Sequence, residues 1–507
     1  MKSLPYLFLF LFGTWMCTSG NRQQPPGPPQ PTNLSGSELA QIHCASCHAF
    51  PSPDLLDKAT WEKGVLPEMA YRLGIKPFSD KMMSMNPDEV MILVRGNVYP
   101  ANPLLAEEDW QKIVQYYIEN APEKPLPQDA KVPITVGLPL FEVKTVPEST
   151  AFPPMVSMVE IDTANGQIYV SRRDKNVIEV YDKTLKKVDF LPIQSPVSDM
   201  VWLNNKDYLL LEMGIMDPND FRTGSLVEVN GHQQTTLLDS LQRPVHLTLH
   251  DFNQDGTPDY LLCNHGNELG KLAWYDGKTK EEHILKATPG ARITYIQDMD
   301  GDGREDIIAL MAQSRESISI FYDRGKGKME EKIVLEFPPV YGSSYLELAD
   351  INNDGHLDFI YTNGDNADYS YSLKKYHGLR IFINDGNNQF KEQYFYPSYG
   401  ASQVRAADFD ADGDLDLAMI SFFNDNATKP NEGFLFFENQ GNLQFKVSTF
   451  PAAAQGKWLV MDVGDLDKDG KPDIVLGSFI KPGLGQRGQE KNPVSVVLLH
   501  NIAAKKQ

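Results

Sequence analysis

Cysteine is scarce in this sequence, and its scarcity excludes several kinds of site. The 507 residues contain four cysteines, Cys17, Cys44, Cys47 and Cys263. So few cannot supply the disulfide framework that holds small secreted domains together. A structural zinc site of the usual kind needs a second closely spaced pair, and Cys17 and Cys263 stand alone. Cys263 lies in an apolar run, which predicts a buried thiol.

Positive charge is also in short supply. Lysine and arginine number 47 against 68 aspartates and glutamates, which gives a formal net charge of −21. This balance argues against nucleic acids, anionic membrane surfaces and acidic substrates as main partners, because like charges repel. It is typical of a soluble exported protein, and it suits one that binds cations.

Long apolar runs are missing after the first residues. Lys2 and the short apolar run 4–12 predict a signal peptide, assigned to residues 1–17. Cys17 stands where a lipoprotein is cut and acylated, but residues 14–16 differ from the usual small-residue pattern, so plain secretion is the alternative. The proline-rich residues 18–32 would form an extended tether. We expect an exported protein of the periplasm or cell surface, attached to a membrane only through lipid on Cys17.

One short motif carries redox chemistry. Cys44 and Cys47 are followed directly by His48, which is the Cys-x-x-Cys-His pattern of c-type haem attachment. Two thiols at this spacing can each bond one vinyl group of the porphyrin, and the imidazole becomes a ligand of the haem iron. The alternative, a thioredoxin-like dithiol, needs a surrounding strand–helix–strand pattern that the sequence lacks. The sequence therefore predicts one covalent haem c, with Cys44 and Cys47 as its thioether residues.

Helical patterns surround this motif. Ser35 has the chemistry of a helix N-cap ahead of it, and apolar residues recur at helical spacing further along. Residues 33–124 resemble a class I cytochrome c domain, which is a small all-α fold. The resemblance implies a methionine as the second iron ligand; Met69, which follows a proline closely, is the first choice, with Met83 and Met85 as alternatives. A single haem stores one electron, which excludes a di-haem peroxidase.

The C-terminal part repeats one acidic pattern five times. After a proline-rich linker, assigned with the start of the next domain to residues 125–150, the pattern Asp-x-Asp/Asn-x-Asp-Gly-x-x-Asp recurs every 47 to 58 residues. Oxygen ligands at alternate positions and a glycine for the turn are features of calcium loops. Up to five calcium ions are expected. The predicted calcium ligands are Asp251, Asn253, Asp255, Asp259, Asp298, Asp300, Asp302, Asp306, Asp350, Asn352, Asp354, Asp358, Asp408, Asp410, Asp412, Asp416, Asp465, Asp467, Asp469 and Asp473.

An EF-hand does not explain this pattern. It would require a bidentate glutamate at position 12, where these segments carry apolar or aromatic residues. The spacing instead matches one four-stranded blade, which predicts a β-propeller. The motifs resemble FG-GAP/VCBS repeats, as in integrin α-subunits, whose calcium loops connect the first two strands of a blade. With two earlier blades that lack such loops, residues 151–503 would form an all-β propeller of seven blades, with six or eight as alternatives.

Loops on the propeller face opposite the calcium loops are the predicted binding surface. They include the polar turns that contain Arg172, His265 and Arg487 and the segment 365–377. We expect a multidomain electron-transfer protein that docks a redox partner protein, or binds a glycan or small molecule, on these loops. The alternatives are a haem-linked dehydrogenase for a sugar or alcohol, which would need a second cofactor, and a surface adhesion module. The sequence shows no nucleophile–base pair, so we predict no catalytic residues.

Overall fold

The architecture joins a helical N-terminal segment to a large β domain. The structure is a computed structural model, and it describes residues 28–148, 153–325, 327–366, 372–481 and 493–503. The predicted signal peptide, Cys17 and the tether up to residue 27 lie outside these ranges. Among the helices within them, none is long and apolar enough to cross a membrane.

The described part of the N-terminal segment is built from short helices. They are α1 Gly36–His43, α2 Lys58–Thr60, α3 Leu66–Arg72, α4 Ser79–Met82, α5 Pro87–Arg95 and α6 Glu107–Asn120. A π-helical turn, Trp61–Val65, joins α2 to α3. Leu39 of α1 and Ile113 of α6 are almost fully buried in one apolar cluster with Trp61. This cluster is the core of the helical segment.

The predicted N-cap of α1 is confirmed. The N–H of Glu38 donates to Ser35 Oγ, and the N–H of Ser35 donates to the Glu38 carboxylate at 2.8 Å. This reciprocal pair satisfies two of the donors that a helix start leaves open. The helix therefore begins at a fixed residue, and it ends at His43, immediately before the Cys-x-x-Cys-His motif.

Strands make up the rest of the chain. The first two are β1 Thr135–Val136 and β2 Phe141–Pro147. Blades 1 to 3 contain β3 Val156–Asp162, β4 Gln167–Arg172, β5 Val177–Asp182 and β6 Lys187–Pro192; β7 Val197–Trp202, β8 Asp207–Glu212, β9 Gly224–Asn230 and β10 Gln233–Leu241; and β11 Pro244–His250, β12 Asp259–Asn264, β13 Lys271–Tyr275 and β14 Glu282–Lys286. Blades 4 and 5 contain β15 Ala291–Gln297, β16 Asp306–Met311, β17 Ser317–Asp323 and β18 Met329–Glu336; and β19 Ser343–Ala349, β20 Asp358–Asn363, β21 Gly378–Asn384 and β22 Phe390–Pro397. Blades 6 and 7 contain β23 Ala401–Ala407, β24 Asp416–Ser421, β25 Phe434–Asn439 and β26 Phe445–Thr449; and β27 Trp458–Gly464, β28 Asp473–Ser478 and β29 Val494–Asn501.

These strands form the seven blades of a β-propeller, as predicted. Each blade is an antiparallel sheet whose strands follow one another in chain order, except at the point of closure. Blades 3 to 7 are the blades with the acidic repeats. Their second strands are buried along their whole length or nearly so, because neighbouring blades pack on both faces.

The ring is closed by strands that precede the first blade. β2 pairs antiparallel with β29 as the outermost strand of blade 7, with Phe141 opposite Asn501. β1 pairs parallel with β26 and adds a fifth strand to blade 6. Phe141 is buried, with its ring 5.7 Å from Phe409 and 5.4 Å from Phe436. The N-terminal strand β2 and the C-terminal strand β29 are thereby paired in blade 7.

Polar side chains on the innermost strands connect neighbouring blades. Asp462 Oδ2 of blade 7 accepts the N–H of Ile161 in blade 1 at 2.9 Å. Asp199 Oδ2 of blade 2 accepts the N–H of Leu247 in blade 3 at 2.8 Å. These two carboxylates thus connect neighbouring blades near the centre of the ring.

The helical segment rests on one face of the propeller. Val340 and Tyr376, from blades 4 and 5, are buried in the apolar cluster of the helices. Arg72 of α3 forms an ion pair with Glu268, and the Tyr99 hydroxyl donates to Glu268 Oε1 at 3.2 Å. These propeller residues lie in connections that follow the second or the fourth strand of a blade. The helices therefore cover the face opposite the five acidic loops.

Candidate functional site

Cys44, Cys47 and His48 lie in the turn that follows α1. Cys44 is half-buried and Cys47 is exposed, and within the described residues neither forms a disulfide. His48 Nδ1 is 3.0 Å from the carbonyl oxygen of Ala49. A proton on Nδ1 satisfies this contact and leaves the Nε2 lone pair for a metal. Burial lowers the pKa of His48, so the ring is neutral at pH 7, which is the form that binds metals.

The surroundings of Cys44 are apolar. Burial raises the pKa of its thiol to about 11. Met69 of α3 packs into the same apolar cluster as Cys44, whereas Met83 is 94% exposed and Met85 lies half-buried after α4. Two thiols, an imidazole and a thioether are the donor types that hold a haem c, and of these residues Cys44 and Met69 pack against the apolar core.

The five acidic loops occupy the places that the spacing predicts. Each connects the first and second strands of one of blades 3 to 7. All five lie on one face of the propeller, because the strands of a blade alternate in direction. The last aspartate of each loop is the first residue of the second strand: Asp259, Asp306, Asp358, Asp416 and Asp473.

The first and last aspartates of each loop hold its backbone. In the loop 350–358, Asp350 Oδ2 accepts the N–H of Gly355 at 2.8 Å. Asp358 is fully buried and accepts the N–H of Ile351 at 3.2 Å and that of Asn384 at 2.8 Å. The last aspartates of the other four loops accept two backbone N–H groups in the same way. Sequence reasoning predicts these residues as calcium ligands and misses their role in the fold.

In three loops the carboxylates converge closely enough to share a cation. In each group one oxygen of every residue lies within 4.8 Å of the others. The groups are Asp298, Asp300 and Asp306; Asp408, Asp410 and Asp412; and Asp465, Asp467 and Asp469. These three groups can hold a metal such as calcium. The loops that begin at Asp251 and Asp350 have asparagine in the third position, which offers an amide oxygen instead.

The opposite face differs from its prediction as an open binding surface. Arg172 is fully buried, with Nη1 2.6 Å from Glu148 and Nη2 2.8 Å from Asp174, so its prediction as an accessible binding residue is wrong. Carboxylates from the same blade and from the preceding segment enclose it. His265 is half-buried, and burial, with nearby cations, lowers its pKa to about 3. Arg487 and parts of two predicted loops, residues 367–371 and 482–492, lie outside the described residues.

A polar groove of about 560 Å³ opens on this face, lined by blade 2 and by the segment that connects it to blade 1. Glu212 at its base is buried and accepts the N–H of Gln194 and the hydroxyl of Ser225, both at 2.9 Å. Thr223 and Gln234 contribute further polar walls. Sequence reasoning missed this groove because its residues come from several strands and share no motif.

The family model that matches this chain covers part of the propeller. A family model described as "FG-GAP-like repeat" matches residues 251–309, 298–361 and 362–419, and no curated protein matches the chain. Among solved structures, the Neurospora crassa Pan2 WD40 domain is 11% identical, with a TM-score of 0.45, over 74% of this chain and 100% of that one. A chain from S. cerevisiae Dbp5 bound to Nup159, Gle1, IP6 and ADP is 12% identical, with a TM-score of 0.42, over 74% and 99%. Four of the five acidic loops thus lie in FG-GAP-like repeats, and all five belong to a seven-bladed β-propeller.

Proposed function

We propose that this protein is an exported electron-transfer protein with one covalent haem c on a calcium-braced propeller. The observation that carries the proposal is the Cys44–His48 turn. It begins where α1 ends, both thiols are free of disulfides in the described part of the chain, and the imidazole can present Nε2 to a metal.

Each residue of the helical segment would have a separate task. Cys44 and Cys47 would form the two thioether bonds, and His48 would bind the iron through Nε2. Met69 is the proposed second ligand because it packs in the same cluster as Cys44. When bound, such a haem supplies one-electron oxidation and reduction.

Calcium is the cation we propose for the acidic loops. Alternating carboxylate and amide oxygens, with a glycine at the turn, suit its preference for several oxygen ligands. The support is the three groups of converging carboxylates and the recurrence of the motif in five blades. Bound calcium would brace the connection between the first two strands of each of these blades.

Attachment of haem gives a direct test. The full chain should be exported from a bacterial host that matures c-type cytochromes, purified under denaturing conditions, and assayed for covalent haem by its reduced spectrum with pyridine. We expect one haem per chain, and its loss when Cys44→Ser and Cys47→Ser are combined. Cys263→Ser is the matched control, because this thiol is fully buried in the propeller and should not affect attachment.

The second ligand can be tested on the same protein. Met69→Ala should abolish the sulfur-to-iron band of the oxidised haem and lower the reduction potential. Met91→Ala is the control, since Met91 is 51% exposed on α5. Haem attachment that survives loss of both motif cysteines would refute the haem proposal, and an unchanged spectrum in Met69→Ala would shift the ligand to Met83 or Met85.

Partner and location follow as further proposals. Cys47 is exposed, so a partner protein can approach the motif from solvent. The groove of blade 2 supports binding of a small polar ligand such as a sugar, because neutral amide and hydroxyl groups line much of it. Export and a lipid on Cys17 rest on the N-terminal sequence pattern.

A further inference from the structure

We infer that the loop 298–306 of blade 4 contains a built-in cation, the guanidinium of Arg324, and that calcium must displace it to bind there. The inference rests on the proposed calcium binding by the acidic loops. It predicts that the five loops are unequal, with calcium binding weakened in blade 4.

The contacts of Arg324 support this assignment. Arg324 directly follows β17, on the same face as the acidic loops. Its Nη1 is 2.9 Å from Oδ2 of Asp300 and 4.0 Å from Oδ2 of Asp302. Asp300 belongs to the group of carboxylates that can share a metal. The guanidinium thus binds one of the carboxylates that would share a calcium ion.

A second basic residue acts on the same loop. Arg304, at its seventh position, pairs with Asp302 and donates from Nε to the carbonyl oxygen of Asp323 at 3.0 Å. Two positive side chains therefore offset the charge of this loop. A divalent ion would have to enter beside both of them, which costs electrostatic free energy.

Blade 3 shows the same arrangement in a weaker form. Lys278 occupies the position that corresponds to Arg324, because Gly277 and Asp323 donate equivalent N–H groups to the last aspartates of their loops. Its Nζ lies 3.1 Å from Oδ2 of Asp255. Internal cations at this position therefore occur in two adjacent blades.

Blade 6 has no such residue at either position. By the same correspondence, Gln440 takes the place of Arg324, since Asn439 donates its N–H to the last aspartate of that loop. Asp414 takes the place of Arg304 and adds another carboxylate. At these two positions the loop 408–416 therefore lacks the lysine or arginine that blades 3 and 4 carry.

Calcium titration of the metal-free full chain by calorimetry tests the inference. We expect Arg324→Gln to strengthen one site about fivefold, since an exposed ion pair contributes up to about 1 kcal/mol. Arg324→Lys keeps the charge and should bind calcium like the wild type. Adding Asp300→Asn to Arg324→Gln should remove the gain, which would assign it to this loop.

Arg315→Gln is the matched control. This substitution removes the same charge from blade 4. Arg315, however, pairs with Glu336 on the opposite face, with Nε 2.9 Å from Oε1. Equal calcium binding by Arg324→Gln and Arg315→Gln would overturn the inference and leave calcium binding itself intact. Failure of every variant to bind calcium would refute the calcium-braced propeller, and this inference with it.

Discussion

The carboxylate of Asp358 stabilises the fold through its own hydrogen bonds, without a bound ligand. It is fully buried, and its two oxygens join the start of the acidic loop to the end of the third strand of the blade. Burial raises its pKa to about 6, which reflects the cost of keeping a charge there. Its equivalents repeat in four more blades, so these residues stabilise the propeller even when no metal is bound.

Replacing this carboxylate should therefore destabilise the metal-free protein. Asp358→Ala leaves two buried N–H groups without partners, at about 1–3 kcal/mol each, so we expect a loss of about 2–6 kcal/mol. Urea unfolding in EDTA measures it. Asp354→Ala, an exposed position of the same loop, should cost less than about 1 kcal/mol under these conditions. Equally small losses for the two variants would indicate that Asp358 contributes to stability only when metal is bound.

Glu160 gives the inner strands a pH dependence. Burial, reinforced by the nearby Asp462 and Asp199, raises its pKa above the usual 4.5. The folded state then holds this proton more tightly than the unfolded state. The contribution of Glu160 to the free energy of unfolding is therefore complete below pH 4.5 and is lost as the pH rises. Glu160→Gln should flatten the stability profile between about pH 5 and pH 8, measured by urea unfolding. The exposed Glu142→Gln should keep the wild-type slope.

At the scale of elements, repetition decides what the sequence can predict. Five acidic loops at blade spacing predict where blades 3 to 7 begin, and the short Cys44–His48 motif needs no tertiary information. The second blade extends over 197–241, and the sequence does not mark these bounds because this blade lacks an acidic loop. No sequence pattern predicts β2, since its partner strand β29 lies at the other end of the propeller. The burial of Arg172 likewise depends on carboxylates that only the folded chain brings together.

The closing strand should depend on its anchor. Phe141→Ala removes a buried ring that packs between Phe409 and Phe436, and we expect a loss of about 3–5 kcal/mol in urea unfolding. Val143 on the same strand is 39% exposed, so Val143→Ala should cost less than about 1 kcal/mol. A small loss for Phe141→Ala would mean that backbone pairing with β29 holds the strand by itself.

At the scale of the whole molecule, the helical segment and the propeller share a buried interface. The face predicted to bind a partner is partly covered by the protein's own helices, through Val340, Tyr376 and Glu268. The acidic loops are left on the other side. Redox chemistry, if haem is attached, and cation binding would therefore belong to opposite faces of one molecule.

A double-mutant cycle can measure how firmly the two parts are joined. Arg72→Ala and Glu268→Ala should show a coupling free energy of about 0.5–3 kcal/mol, because Glu268 is largely buried where they meet. The exposed pair Lys58 and Glu123 serves as the reference and should couple by less than about 0.5 kcal/mol. Equal coupling in the two cycles would indicate that the helical segment is held by its apolar contacts alone.

Closure of the ring by β2 also has a consequence for biosynthesis. The ribosome makes Phe141 early and Asn501, its partner in the sheet, 360 residues later. Throughout that interval the nascent chain carries a strand that has nothing to pair with, and unpaired edges invite aggregation. Contacts between such distant residues also form slowly. We therefore expect chains interrupted before residue 494 to be captured by chaperones or degraded, however stable their finished blades are.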